Sequence, residues 1–466
     1  MTIDLRKYLI IQPLILINII DILFIFFCLF LISKIYFSFP FIVNFFSLSL
    51  NYLILRNYLK TIFDKNIEFP LFQLCIFFLV IFYNIPFFFF SNNFYLEELS
   101  ILLLIYSLFF FTINFYFNKN KIMKKISFQI VYDKKYIFYF LNILLFIYFF
   151  LFFFGWVDYL KYFKLLEKFI SIFCFAVIFF LLIMKKKNKY FFFYIFAFFF
   201  IFLNFFFSTF ITDIFFPLIL LNIIYIQYKK KINFFLILIT FFLIFFQNSL
   251  KYSLRESNIN TTYLRQFINH EISNLLLYKT LNINKNKLNI NEKKLNLNFN
   301  QTSNLLTRLS YPIETFLRIS STDPISRIEN TYIHLLYSVI PRFLWNSKPE
   351  NKTANEFGKA YRFIDKNDFL TSINIPLISE AKLNISNISY SLIFPIYVVC
   401  LLILQKIFLS CFTKDFFLRI AFYSIFIEAT IIENSLAFLV GNIYKFTIFI
   451  LLFVIASNKI LNILKK

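Results

Sequence analysis

Between residues 308 and 362 stand Arg308, Arg318, Arg327, Arg342, Lys348 and Arg362. A guanidinium is a planar fork that grips two phosphate oxygens at once, and an ammonium adds a point charge. Side chains of these types in one segment can hold a dianionic group. The same cations can instead pair with lipid headgroups, or with Glu314, Glu329, Glu350 and Glu356. Their clustering favours the anion site. The most distinctive stretch is IPRFLWNSKPENKTANEFGKAYRF, residues 340–363, where Arg342, Trp345 and Lys348 lie close together. Trp345 suits a membrane–water boundary, since indole is apolar with one polar edge.

Other phosphate chemistry is poorly served. The chain has only 3 glycines, which nearly excludes a glycine-rich phosphate loop. It has no paired-Asp nucleotide-sugar motif and no His-Glu-x-x-His, so a nucleotide-sugar donor is not expected. The 5 cysteines, Cys28, Cys75, Cys174, Cys400 and Cys411, are scattered and mostly inside apolar runs. They read as buried filler, not as a disulfide framework or a metal cluster. No metal or cofactor is expected, and His270 has no supporting context.

The elements that must position the cations start at Asp323-Pro324. This pair predicts a helix start, with Asp as N-cap and Pro at the first helical position. Ile325, Ile328, Tyr332, Leu335 and Val339 recur at spacings of three and four, while Arg327, Asn330 and His334 line another face. Residues 324–340 thus predict an amphipathic helix about 25 Å long. Pro341 ends it and presents Arg342 at once. Lys348-Pro349 and Gly358 then imply a bent path.

Around this segment the chain is greasy. Of 466 residues, 60% are hydrophobic and mean hydropathy is +0.74, beyond what soluble domains show. Twelve apolar runs approach the roughly 20 residues needed to cross a bilayer. They lie at 10–32, 36–55, 69–90, 96–117, 136–154, 169–184, 190–207, 210–228, 232–247, 389–409, 416–433 and 437–457. The first is long enough to remain as an anchor. A net charge of +23 would suggest nucleic acid in a soluble protein. Here much of it flanks apolar runs on alternate loops, so it reads as topology. Lys161, Lys164 and Lys168 are the main exceptions. The positive-inside rule then places both termini in the cytoplasm and the long 248–388 loop outside. The division is an N-terminal bundle at 1–247 of about nine spans, the loop at 248–388, and about three spans at 389–466. Within the loop, 280–304 is Asn/Lys/Leu-rich and reads as a low-complexity insert. The fold class is all-α: a polytopic helix bundle with one large outer loop carrying amphipathic helices.

Residues 340–361, followed by TSINIPLISEAKLN at 371–384, resemble the bacterial O-antigen and exopolysaccharide repeat-unit polymerases, the Wzy-like family. Pro341, Arg342, Trp345, Lys348 and Pro349 match the family's Pro-Arg-x-x-Trp-Pro-x-Lys-Pro passage, with Asn346 in place of a proline. Glu380 and Asn384 match a later Glu and Asn, while Ile385-Ser386 replaces Phe-Gly. The specific part covers about 60 residues. The resemblance implies a GT-C-like membrane fold and metal-independent glycosyl transfer at the periplasmic face of the inner membrane. Donor and acceptor would both be glycans on undecaprenyl diphosphate. The bilayer and a chain-length regulator protein are further expected partners; nucleic acid is not.

That chemistry suits the residues. A diphosphate is an activated leaving group, so the main demand is to stabilise the negative charge it develops. Arg342 is the first candidate for diphosphate binding, with Lys348, Arg327, Arg318, Arg308 and Arg362 behind it and Trp345 at the boundary. Glu380 is the candidate base or sugar-hydroxyl contact, followed by Asp323 and His334. Asp213, near the outer end of a span, can line the same crevice. Asp21 and Glu428 are costly in a bilayer and are expected to face the bundle interior. An O-antigen ligase-like transferase would share the lipid donor and the arginines. A lipid-linked-sugar flippase is the non-enzyme alternative, though it needs charged cavities within its spans.

Overall fold

The computed structural model describes residues 10–11, parts of 18–28, residues 38–61, and 71–119, 134–244 and 302–447 with short interruptions. The low-complexity stretch is almost wholly outside the described residues. Apart from two-residue extended segments at Ile10–Ile11 and Ile232–Asn233, the regular structure described is helical. The helices are α1 (Phe39–Thr61), α2 (Leu71–Leu79), α3 (Phe94–Lys119), α4 (Lys134–Phe154), α5 (Lys164–Ile183), α6 (Phe191–Phe206) and α7 (Ile211–Lys229). After the long gap come α8 (Thr302–Ser321), α9 (Ile333–Val339), α10 (Thr353–Ala360), α11 (Leu377–Asn384), α12 (Ile393–Cys411) and α13 (Phe416–Phe426).

Among the described residues, three helices are long and apolar enough to cross a membrane: Phe39–Tyr58, Tyr95–Phe115 and Ile388–Gln405. Shorter apolar helices run over Leu71–Phe87, Leu141–Phe152, Phe191–Phe206 and Phe235–Ile244. On α3, Leu99, Leu103, Tyr106 and Phe110 are buried while Ile101, Ile105, Leu108 and Phe115 are exposed. A helix apolar on both its packed and its open face is suited to hydrocarbon surroundings, not water.

The chain divides into two compact units. One contains α4–α7. There Tyr194 donates to Asn142 at 3.1 Å, Asn204 donates to the Tyr148 hydroxyl at 3.2 Å, and Phe175 stacks on Phe198 at 4.4 Å. The other contains α1–α3 and the chain from Leu306 onward.

In that second unit α1 packs along α3. Asn44, Ser47 and Asn51 share one face of α1 by their spacing of three and four, and all are buried. They meet Asn84, which donates to Asn44 and Ser47 at 2.8 Å each and accepts from Asn51 at 3.0 Å. Ser47 also pairs with Ser107 of α3 at 2.8 Å. Polar side chains of this kind hold apolar helices in register, because lipid offers them no alternative partner. Asn84 belongs to a π-helical turn, Val80–Asn84, that follows α2 and leads into Ile85–Phe87. Pro86 explains the turn. Its ring would collide with the Phe82 carbonyl of a regular helix, and widening the turn makes room.

Two expectations are corrected. Residues 324–340 are not one helix. Thr322 to Tyr332 is irregular where described, and only Ile333–Val339 is helical. Tertiary partners take the backbone donors instead: Ile325 N–H bonds to the Ala360 carbonyl at 3.0 Å, and Thr331 N–H to Asn384 Oδ1 at 2.9 Å. Asp323 is therefore exposed loop, not a helix cap. The amphipathic helix of this region is instead α8, which buries Ile313 and Phe316.

The run 416–433 is likewise helical only to Phe426 before a 3₁₀ turn at Glu428–Thr430. This irregular stretch is covered by protein. Ile427 to Ile432 are all buried, Tyr397 donates to the Ala429 carbonyl at 2.6 Å, and Leu377 N–H bonds to the Ile432 carbonyl at 3.0 Å. Such cover supplies the partners that buried non-helical backbone needs.

Candidate functional site

The short helix α11 is the hub of the second unit. Pro376 precedes it in extended conformation (ψ 145°), and Leu377 through Ala381 are buried. Glu380 and Lys382 stand two positions apart and so point to different sides of the helix.

Glu380 is 0% exposed. One carboxylate oxygen accepts the Thr331 hydroxyl at 2.6 Å, and the other accepts the Leu436 N–H at 2.5 Å. Leu436 opens the last described helical stretch, whose first N–H groups have no partner within that helix. Glu380 therefore caps that stretch from a distance, and its negative charge favours the helix N-terminus. Asn384 completes the knot, donating to the Thr331 hydroxyl at 2.7 Å and to the Glu380 carbonyl at 2.9 Å. Burial pushes the Glu380 carboxyl above the usual carboxylate range, and the Thr331 and Leu436 donors pull it partly back. Burial and the nearby Glu380 charge also raise Tyr332.

On the other side Lys382 bonds to Glu98, near the start of α3, at 2.5 Å. Its ammonium lies 4.5 Å from the Phe316 ring and 5.5 Å from the Tyr390 ring. The Tyr390 hydroxyl donates to the second Glu98 oxygen at 2.6 Å. Lys382 is 16% exposed and Glu98 39%. One helix thus bonds to α3 through Lys382, and to Thr331 and the C-terminal stretch through Glu380.

Arg318 of α8 is held from several directions. It donates to the Tyr361 and Arg362 carbonyls at 3.2 Å each and to Glu314 at 2.9 Å, and it lies 4.2 Å over the Phe363 ring. Those carbonyls are offered by the end of α10. Arg362 sits there at φ 59°, the left-handed position that favours glycine. Phe363 N–H reaches the Gly358 carbonyl at 2.7 Å and Arg362 N–H the Lys359 carbonyl at 3.2 Å. With Phe363 packed on Phe357 at 5.8 Å, this is a complete Schellman end. Gly358 is required for close approach, since a Cβ there would stand 2.9 Å from both Ile364 and Ile373. Asp323 lies beside Tyr361 and, after burial, helps raise that phenol.

His334 and Tyr337 of α9 and the downstream Trp345 form an edge-to-face ladder, with centroids 5.8 and 5.6 Å apart. The Trp345 indole donates to Ser347 at 3.0 Å. A second close approach supports α9: a Cβ at Gly441 would stand 3.0 Å from Ser338.

Arg308 lies on α8, two helical turns and more before Arg318. The expected site residues Arg327, Arg342 and Lys348 are outside the described residues, as is His270. Asp213 belongs to the first unit and pairs with Lys168 at 3.1 Å. That bridge gives one of the exceptions to the charge pattern a local partner. Asp21 takes a two-pronged bond from Arg56 at 2.6 Å per arm, plus the Tyr52 hydroxyl. Glu428 is buried, as expected.

Sequence reasoning missed Lys382, Glu98 and Thr331. The available signal was Glu98 at the mouth of an apolar run and Lys382 two residues from Glu380. Among the described residues no three His, Cys, Asp or Glu side chains gather as metal ligands. No family model, curated protein or solved structure matches this chain.

Proposed function

We propose that this chain is a multi-pass inner-membrane glycosyltransferase that polymerises undecaprenyl-diphosphate-linked oligosaccharide repeat units at the periplasmic face. In this reading it has about twelve spans, both termini are cytoplasmic, and the fold is of GT-C type. The observation that carries the reading is the docking of a polar, arginine-bearing segment onto the ends of apolar helices through α11. A lipid diphosphate presents its charge at that level of a bilayer while its tail stays among the apolar faces.

Arg342 is assigned to the diphosphate, with Lys348, Arg327 and Arg308 supplying further charge. Their task is to stabilise the leaving diphosphate as the acceptor hydroxyl attacks the anomeric carbon. Trp345 and the His334–Tyr337 pair would hold the segment at the boundary. Arg318 and Glu380 are positioning residues in this scheme, since each is already engaged by protein groups.

The test is Arg342→Ala in a strain lacking the native gene. The expected outcome is single-repeat lipid intermediates that stay unpolymerised while the protein remains in the membrane. Arg342→Lys should also be poor, because it keeps the charge but loses the fork. Full-length polymer from Arg342→Ala would remove Arg342 from the site. Normal chain length with loss of transfer to lipid A–core would turn the reading toward a ligase.

A further inference from the structure

Arg362 has a backbone that an arginine does not suit. At φ 59° it is, among the described residues, the one in the left-handed region. A Cβ there crowds the neighbouring carbonyl, so glycine is the usual occupant of a helix end and asparagine the next. The chain is rich in asparagine, yet arginine stands here.

The turn is fastened from several sides. Phe363 and Ile364 N–H both reach the Gly358 carbonyl, at 2.7 and 3.2 Å, and Arg318 holds the Tyr361 and Arg362 carbonyls. Just beyond, Asn355 donates to the Asp368 and Thr371 carbonyls at 2.9 and 2.6 Å. These bonds use the Arg362 backbone and its neighbours, never its guanidinium. That guanidinium is exposed and has no partner among the described residues. Arg56 and Arg318, by contrast, are spent on Asp21 and Glu314. Residues 359–366 carry the cations Lys359, Arg362 and Lys366 against one carboxylate, Asp365. Asp323, beside Tyr361, is the opposing charge from outside the turn. A strained conformation kept where a cheaper residue would serve points to work done by the side chain.

We propose that Arg362 is held in this turn to bind the phosphate of a lipid headgroup.

A guanidinium grips two phosphate oxygens with parallel hydrogen bonds, and a rigid turn spares it the entropy of being ordered on binding. The turn belongs to the same unit as α1, α3 and α12, so lipid phosphate is the oxyanion at hand. It has two sources, a phospholipid of the bilayer or the diphosphate of the glycan carrier. Only the second rests on the function proposed above.

The experiment follows thermal unfolding of the full chain in dodecyl maltoside while phosphatidylglycerol or undecaprenyl diphosphate is added. The rise of Tm with lipid concentration gives an apparent affinity. Arg362→Gly and Arg362→Asn both relieve the backbone, and the second does so without adding glycine's freedom. Without lipid their Tm should be unchanged or raised. With lipid their affinity should fall at least tenfold, a combination that a merely structural arginine would not give. Lys366→Gln, which removes a neighbouring exposed charge, should stay within threefold of the parent. Weakening toward phosphatidylglycerol assigns the bilayer source, and weakening toward undecaprenyl diphosphate alone assigns the carrier. The proposal is overturned by a lowered Tm in both Arg362 variants, by unchanged affinity for both lipids, or by an equal loss in Lys366→Gln. Binding is read on the purified chain, so these outcomes stand whether or not Arg342→Ala abolishes polymer.

Discussion

Replacing Glu380 separates a structural carboxylate from a catalytic one. Glu380→Ala leaves two buried donors behind, the Thr331 hydroxyl and the Leu436 N–H. Each orphaned donor costs about 1–3 kcal/mol. The Thr331 hydroxyl can rotate and recover part of its share, whereas the Leu436 N–H is fixed by its helix. Removing a buried carboxylate also returns its desolvation cost. The net loss is about 2–4 kcal/mol, or roughly 30- to 700-fold in the folding equilibrium at tenfold per 1.4 kcal/mol. Glu380→Gln keeps the shape: its oxygen can accept from Leu436 while its amide donates to Thr331. It should lose no more than about 1 kcal/mol, because weaker neutral bonds are offset by the buried charge that is gone. Cys75 and Cys174 are buried thiols in the second and first units, so they report each unit separately. In a background lacking the other cysteines, a thiol-reactive dye during a thermal ramp should label Cys75 earlier in Glu380→Ala and leave Cys174 unchanged. Glu380→Gln should track the parent. A Gln variant that is fully stable yet unable to polymerise would refute the structural assignment and make Glu380 the base.

Four further outcomes follow from particular contacts. Because burial raises the Glu380 carboxyl, the folded state binds that proton more tightly than the unfolded chain. Its contribution to stability should therefore fall as pH rises from the ordinary Glu value through the raised one, and Glu380→Gln should abolish that slope. Gly358→Ala forces a Cβ against Ile364 and Ile373 and should cost about 1–3 kcal/mol, read as earlier Cys75 labelling. Arg362→Gly relieves a left-handed residue and should raise stability by up to about 1 kcal/mol; a loss would show that the Arg362 side chain itself holds the segment. A double-mutant cycle of Lys382→Met and Glu98→Gln should give a coupling of about 0.5–3 kcal/mol, and additivity would show that the bridge does not fasten α11 to α3.

Composition alone determined that the chain is helical and apolar. A run such as 94–119 is long and greasy enough that its local preferences leave only a helix, and α1, α3 and α12 emerge where their hydropathy places them. The polar character of 308–362, and the singular place of its one glycine, Gly358, were also readable, because residue type fixes which groups can bind charge or allow close approach. Tertiary structure decided the rest. The spacing of Ile325, Ile328 and Tyr332 suits a helix, yet Thr331 is drawn into a turn by Glu380 and Asn384, which lie about fifty residues away in sequence. Glu380 was the candidate base or sugar-hydroxyl contact because it matches a Glu of the resembled family; only the fold shows it buried and bonded to the Leu436 N–H. Asp213 read as a residue able to line the same crevice, and only the fold pairs it with Lys168. Local pattern records what a segment prefers in isolation, whereas a buried donor takes whichever acceptor the fold brings within reach.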